Sequence, residues 1–187
     1  MKRIYLDYAA ATPLDQSVLK AMLPYLGENF FNPSATYLAA KAVSSEIETA
    51  RSRIASWLGA RKSEIVFTAG GTEANNLAIR GIMEQYPGSS IIVSGIEHDS
   101  VLKPAQLYDC RTAVVDELGL VDLTKLERQI ADDTVLLSVM YANNEIGTIQ
   151  PIRAISKLIA KIKEDRKKSG NDLPLFLHTD ACQASAY

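Results

Sequence analysis

Four stretches of this chain place reactive side chains directly after short apolar runs. The first, Thr68-Ala69-Gly70-Gly71-Thr72-Glu73, follows Ile65-Val66-Phe67. Two glycines and a hydroxyl at a helix start let backbone N–H groups and Thr72 converge on an anion. With no Gly-Lys-Ser/Thr and no Gly-x-Gly-x-x-Gly spacing, the loop reads as a phosphate cradle or as a tight strand-to-helix turn. The second, Glu97-His98-Asp99, follows Ile91-Ile92-Val93-Ser94. The imidazole of His98 can stack on a flat ligand or move a proton near neutral pH, and its polar neighbours argue against a core position. In the third, Tyr141-Ala142-Asn143-Asn144-Glu145 follows the run ending at Met140. Its paired amides are turn residues or donors aimed at a ligand oxygen, with Asn143 read as the turn residue. The fourth, His178-Thr179-Asp180-Ala181-Cys182-Gln183, puts a carboxylate after an apolar run, where desolvation is costly unless a cation pairs with it.

These groups need a scaffold that brings chain-distant loops together, and the hydrophobic pattern supplies one. A short strand over 4–6 is followed by a helix capped by Asp15 that carries Val18, Leu19, Met22 and Leu23 at helical spacing. Residues 29–33 read as loop. Ser34 starts a long helix with an apolar face of Val43, Ile47, Ala50, Ile54, Trp57 and Leu58, ended by Gly59. Strands are then expected over 65–68, 91–94, 113–115, 134–140 and 175–178. Helices alternate with them, over about 73–85, 99–107, 122–131 and 152–168. Short continuous apolar strands separated by helices define an α/β fold, a mainly parallel sheet with helices on both faces. Ligands bind such sheets at the carboxyl ends of the strands, which is where the four stretches fall.

An anion cradle, a stackable imidazole, amide donors and a carboxylate seeking a cation match pyridoxal phosphate better than other cofactors. Its phosphate would sit on Gly71 and Thr72, with His98 over the ring face. Asn144 and Gln183 would meet the phenolic oxygen. Asp180 would keep the pyridine nitrogen protonated, so that the ring remains an electron sink.

The motifs Tyr5-Leu6-Asp7-Tyr8-Ala9-Ala10-Ala11-Thr12-Pro13, Asn32-Pro33-Ser34, 65–76, Glu97-His98, Asn143-Asn144-Glu145-Ile146-Gly147 and His178-Thr179-Asp180-Ala181-Cys182-Gln183 occur in one order across the chain. Together they resemble cysteine desulfurases. The resemblance implies the large domain of a fold type I pyridoxal-phosphate enzyme, here truncated. It also implies conversion of L-cysteine to L-alanine with persulfide transfer for iron–sulfur cluster assembly or other products, a homodimer, and a scaffold or sulfur-acceptor protein as partner. By the same match His98 is an acid/base as well as a cofactor-binding residue, beside Gly71, Thr72, Asn144, Asp180 and Gln183. Two departures stand out. The 31–38 loop has no histidine, and the chain stops at Tyr187, before the family's cofactor-anchoring lysine, mobile cysteine and small domain. The expectation is an N-terminal portion, inactive alone. A selenocysteine lyase, another class V aminotransferase relative, or a non-catalytic pyridoxal-phosphate or nucleotide-binding α/β module would share this cradle.

Composition narrows the rest. Hydrophobic residues at 47% and charged residues at 22% exclude a disordered chain or a coiled coil. One domain is expected, residues 1–33 forming an arm and helix and 34–187 an incomplete α/β core. A net charge of −2 gives no reason to invoke nucleic acid or an anionic membrane. The N-terminus has no apolar run long enough for a signal peptide, and charged residues interrupt every later run short of the roughly 20 needed to span a bilayer. A cytoplasmic protein is therefore expected. Cys110 and Cys182 form no Cys-x-x-Cys pair and read as ordinary thiols, with no metal expected. The run Lys161, Lys163, Arg166, Lys167, Lys168 reads as a solvated helix end complementing the dipole.

Overall fold

The computed structural model describes residues 4–184; Met1-Lys2-Arg3 and Ser185-Ala186-Tyr187, the ends of the expected domain, lie outside the described residues. The chain divides into two compact units, one ending at Phe67 and one beginning at Thr68.

In the first unit, Asp15 accepts from the Ser17 backbone N–H and starts helix α1, Gln16–Leu26, as its side chain predicts. Helix α2, Leu38–Leu58, ends at Gly59, whose φ of 66° allows its N–H to reach Ala55 O and Ser56 O. It starts later than Ser34. Asn32 takes the Ser34 N–H on its side chain and the Ala35 N–H on its carbonyl, a local turn that competes with helix. The expected strands over 4–6 and 65–68 are not formed. Ile65 has extended dihedrals, but an extended segment becomes a strand only beside a partner, and neither segment has one among the described residues. The apolar side of α2 stays open: of its residues only Ala40 and Ala55 are buried, while Trp57 is 69% exposed. The unit that ends at Phe67 includes α2.

The second unit holds α3 (Gly71–Gln85), β1 (Ser90–Ser94), α4 (Asp99–Ala105), β2 (Asp109–Ala113), α5 (Leu123–Gln129), β3 (Thr134–Ser138), α6 (Ile152–Ser169) and β4 (Phe176–His178). All pairings are parallel, in the order β2-β1-β3-β4. The two central strands, β1 and β3, are buried along their whole length, which is why they read as unbroken apolar runs. Ile91, Val93, Val135 and Leu136 meet Ile79 and Met83 of α3 and Val101 and Ala105 of α4 on one face. Ile92, Leu137 and Val139 meet Leu126 of α5 and Ile155 and Ile159 of α6 on the other. Each such buried aliphatic side chain contributes roughly 1.5–3 kcal/mol. Strand β2 lies upstream of the expected 113–115. Pairing with β1 uses 109–113, and Val115 instead bridges Val121 in a tight antiparallel turn.

One member of the basic run departs from its expected solvated role. Arg166 is 5% exposed, and its guanidinium donates to Ala131 O, Thr134 O, Leu173 O and Pro174 O, the carbonyls that lead into β3 and β4. No helix among the described residues is long and apolar enough to cross a membrane.

The strand order places β2 on one side of β1 and β3 on the other. The chain thus reverses direction across the sheet between β1 and β3, and such a reversal opens a crevice at the carboxyl ends of the two strands. Residues 95–98 and 139–144 border it.

Candidate functional site

Gly71 and Thr72 are the first residues of α3, and no side chain caps the helix start. The Glu73 carboxylate turns back to accept from the Ala69 N–H, and Thr68 Oγ1 donates to Gly70 O, so side chains brace the loop while leaving the helix mouth uncapped. Gly71 permits a close approach: a Cβ there would lie 2.6 Å from Cys182 Sγ, and that thiol would have to turn aside. The turn holding Gln183, closed by Ala184 N–H to Ala181 O, therefore sits against the start of α3.

His98 caps α4, its Nδ1 accepting from the Ser100 N–H at 3.1 Å. Ser100 Oγ lies 2.8 Å from the same Nδ1 and accepts from Asn75 Nδ2 at 2.9 Å. Asn75 Nδ2 also donates to Asp180 Oδ2 at 2.8 Å. A continuous hydrogen-bonded line thus joins the loop after β1, helices α3 and α4, and the loop after β4. Asp180 is buried. Desolvation pushes its carboxyl upward, but the Cys182 backbone N–H and thiol, the Asn75 amide and the charge of His178 outweigh it and hold the group below its ordinary value. Its hydrogen-bond donors, the Cys182 N–H and the Asn75 amide, are neutral.

Asn144 lines a cleft of about 430 Å³ together with Ile96, Glu97, His98, Asp99 and Asn143. Asn143 is the turn residue the sequence predicts: its Oδ1 accepts from the N–H groups of Glu145 and Ile146, and its Nδ2 donates to Ile96 O. His98 itself is exposed, as its polar neighbours imply, but one of those neighbours, Glu97, is not. It is 6% exposed, and its Oε1 accepts from Ser94 Oγ at 2.7 Å and Met140 N at 2.6 Å, spanning the ends of β1 and β3; its Oε2 is buried without a partner. Burial raises its pKa above the ordinary 4.5, with the negative charge of Asp180 adding to the rise. The native state then keeps a proton that the unfolded chain releases, so stability falls as pH rises through that raised value. Glu97→Gln copies the protonated form and is expected to remove this fall. Urea midpoints of wild type and variant from acid to neutral pH check it; parallel pH profiles would refute it.

The structure thus gathers the expected residues at one end of the sheet: Gly71 against the Asp180–Gln183 turn, Asp180 linked to His98, and His98 sharing a cleft with Asn144. Asn75, Ser100 and Glu97 have parts in this arrangement that the sequence reading did not assign. For Asn75 a signal existed, because its spacing of four from Ile79 and eight from Met83 puts it on the buried stripe of α3. The residues fit pyridoxal phosphate: an ionised, desolvated carboxylate with neutral donors suits a protonated ring nitrogen, and an uncapped helix start beside it suits a phosphate. Among the described residues no cluster of three His, Cys, Asp or Glu side chains is arranged to hold a metal. Cys110 and Cys182 are free thiols, and burial, together with the Asp180 carboxylate, pushes the Cys182 thiol up to about 11.

Fold and site together define a doubly wound α/β ligand-binding unit with its crevice at the β1/β3 switch point. The class-V aminotransferase family matches residues 4–184, and the chain belongs to that family, whose members use pyridoxal phosphate. It is 44% identical over 191 residues to the cysteine desulfurase IscS of Dictyoglomus turgidum, covering 98% of this chain and 46% of that protein. It is 43% identical over 190 residues to the IscS of Methanosarcina thermophila, covering 98% and 44%. Among solved structures, a NifS-like protein matches with a TM-score of 0.84 at 31% identity, over 96% of this chain and 49% of its own. SspA in complex with cysteine matches with a TM-score of 0.85 at 35% identity, over 96% and 51%. The chain spans about half the length of the curated relatives it matches.

Proposed function

We propose that this chain is the N-terminal part of the cofactor-binding domain of a cysteine desulfurase, a protein that converts L-cysteine to L-alanine and passes the sulfur on as persulfide. A homodimer and a sulfur-accepting partner, such as an iron–sulfur scaffold, belong to the same reading. The observation that carries it is Asp180, a buried carboxylate kept ionised at the end of β4 and tied to His98 across the crevice. When bound, pyridoxal phosphate supplies an electron sink for negative charge developing at the substrate Cα. Gly71 and Thr72 would hold the phosphate through the α3 start, and Asp180 would hold the proton on the ring nitrogen. Asn144 and Gln183 would donate to the phenolic oxygen. His98 would cover the ring face and hold a proton at Nε2 toward the ligand, its Nδ1 accepting from Ser100.

Titration of the purified chain with pyridoxal phosphate, followed by absorbance and with nucleotides as competitors, tests this. Saturable binding that Thr72→Ala weakens and ATP does not displace supports the reading. Binding unchanged in Thr72→Ala, or preference for a nucleotide, would overturn it. None of the side chains assigned to the site is an amine, and the sequence has no lysine after Lys168. With L-cysteine, the cofactor and a reductant, this chain is therefore expected to release no more sulfide than the cofactor alone.

A further inference from the structure

Asn75 occupies a position where an apolar residue would be expected. With Ile79 and Met83 it forms the buried stripe of α3, and it is 4% exposed. An amide at such a position is destabilising unless its hydrogen bonds are made. Its Nδ2 makes two, one to Ser100 Oγ and one to Asp180 Oδ2. Ser100 Oγ, by accepting from Asn75, turns its own hydrogen toward the next acceptor, His98 Nδ1 at 2.8 Å. The same Nδ1 accepts from the Ser100 backbone N–H. Two donors on Nδ1 leave the ring proton on Nε2.

We propose that Asn75 and Ser100 are positioning residues: the line Asp180–Asn75–Ser100–His98 sets the carboxylate orientation and the imidazole tautomer as one unit. Neither residue touches the reacting atoms. Asn75 fixes Asp180 Oδ2 while the Cys182 N–H fixes Oδ1. Ser100 fixes the Nδ1 edge of His98, so that Nε2–H is the group left to meet a ligand. This deepens the pyridoxal-phosphate reading and rests on it for the identity of the ligand. The hydrogen-bonded line itself does not depend on that identity.

The test uses the full 187-residue chain without cofactor, labelled with ¹⁵N and ¹³C. Only two histidines are present, so the His98 ring signals are told apart from those of His178, whose Nδ1 is bonded to Ser138 Oγ. Wild-type His98 is expected to show an unprotonated Nδ1 and a protonated Nε2. Ser100→Ala, which loses the hydroxyl and keeps the backbone N–H on Nδ1, should move both nitrogens part of the way toward the averaged values of a freely exchanging imidazole, and Ser100→Thr, which keeps the hydroxyl, should restore them. Asn75→Ala should shift the His98 nitrogens and the Asp180 carboxyl carbon together, although Asn75 does not touch His98. Asn76→Ala, one residue along the same helix and bonded to its own turn at Thr72 O, should move neither. In cofactor titrations Asn75→Ala is expected to weaken pyridoxal-phosphate binding about tenfold.

His98 and Asp180 signals that respond to Asn75→Ala no more than to Asn76→Ala would overturn the proposal, as would Ser100→Thr behaving like Ser100→Ala. Should Asn75→Ala fail to fold, the two Ser100 variants decide the matter alone. Should the wild-type chain not bind the cofactor, the ligand assignment fails, while the NMR coupling still decides whether the positioning line exists.

Discussion

Asp180→Asn is expected to weaken pyridoxal-phosphate binding by about ten- to a hundredfold, and Asp180→Ala by at least as much. The interaction removed is a charge-assisted hydrogen bond worth roughly 1.5–3 kcal/mol, each 1.4 kcal/mol being a factor of ten. Asparagine is no substitute, for a reason visible in the site. Two donors converge on the carboxylate, Asn75 Nδ2 on Oδ2 and the Cys182 N–H on Oδ1. An asparagine offers one oxygen, so one donor would face an NH₂ group inside a buried site, at a cost of about 1–3 kcal/mol. Both variants should therefore lower the urea midpoint of the free chain as well as its cofactor affinity. The pH dependence has a definite sign. A carboxyl held below its ordinary 3.8 stabilises the fold above that value, and the contribution is lost as pH falls through the depressed value. Asp180→Asn should remove that acid-side loss. An asparagine variant binding pyridoxal phosphate with wild-type affinity would end the assignment of Asp180 to the ring nitrogen.

Much of this arrangement is legible before any coordinates. The central strands and α6 lie within a residue or two of their expected places, apart from the carboxyl end of β3, because runs such as Ile91-Ile92-Val93 have one way to be buried on both faces. The site residues are legible because they follow those runs, and parallel sheets bind ligands at that end. What escapes the sequence depends on partners distant along the chain. Residues 4–6 and 65–68 have strand-like composition, but pairing is a property of a neighbour. Glu97 looks like a surface residue beside a histidine until Ser94 Oγ and Met140 N converge on its Oε1 from two strands. Arg166 hides in a run of lysines, although its spacing from Ile155, Ile159 and Ile162 continues the buried face of α6.

Arg166 leads to the largest expected loss of stability. Its four acceptors lie just before or at the first residue of β3 and just before β4, so one guanidinium ties together the starts of two adjacent strands. Arg166→Ala leaves buried carbonyls without donors and removes the packing of the side-chain stem. A loss of about 3–5 kcal/mol is expected, a large part of the roughly 5–15 kcal/mol that holds an ordinary domain folded. Arg166→Lys should recover only part of it, because an ammonium has three donors and lacks the planar fork that spans these oxygens. Lys168→Ala, at a side chain 74% exposed, is the control and should change stability by less than about 0.5 kcal/mol. Urea melts of the three variants measure the order, and an Arg166→Ala midpoint close to that of Lys168→Ala would return Arg166 to the solvated helix end. The effect should also reach the site. Strand β4 is three residues long and carries Asp180 two residues past its end, so loosening its start frees the carboxylate that Asn75 orients. Arg166→Lys, if folded, is therefore expected to bind pyridoxal phosphate more weakly than wild type while every side chain assigned to the cofactor remains in place.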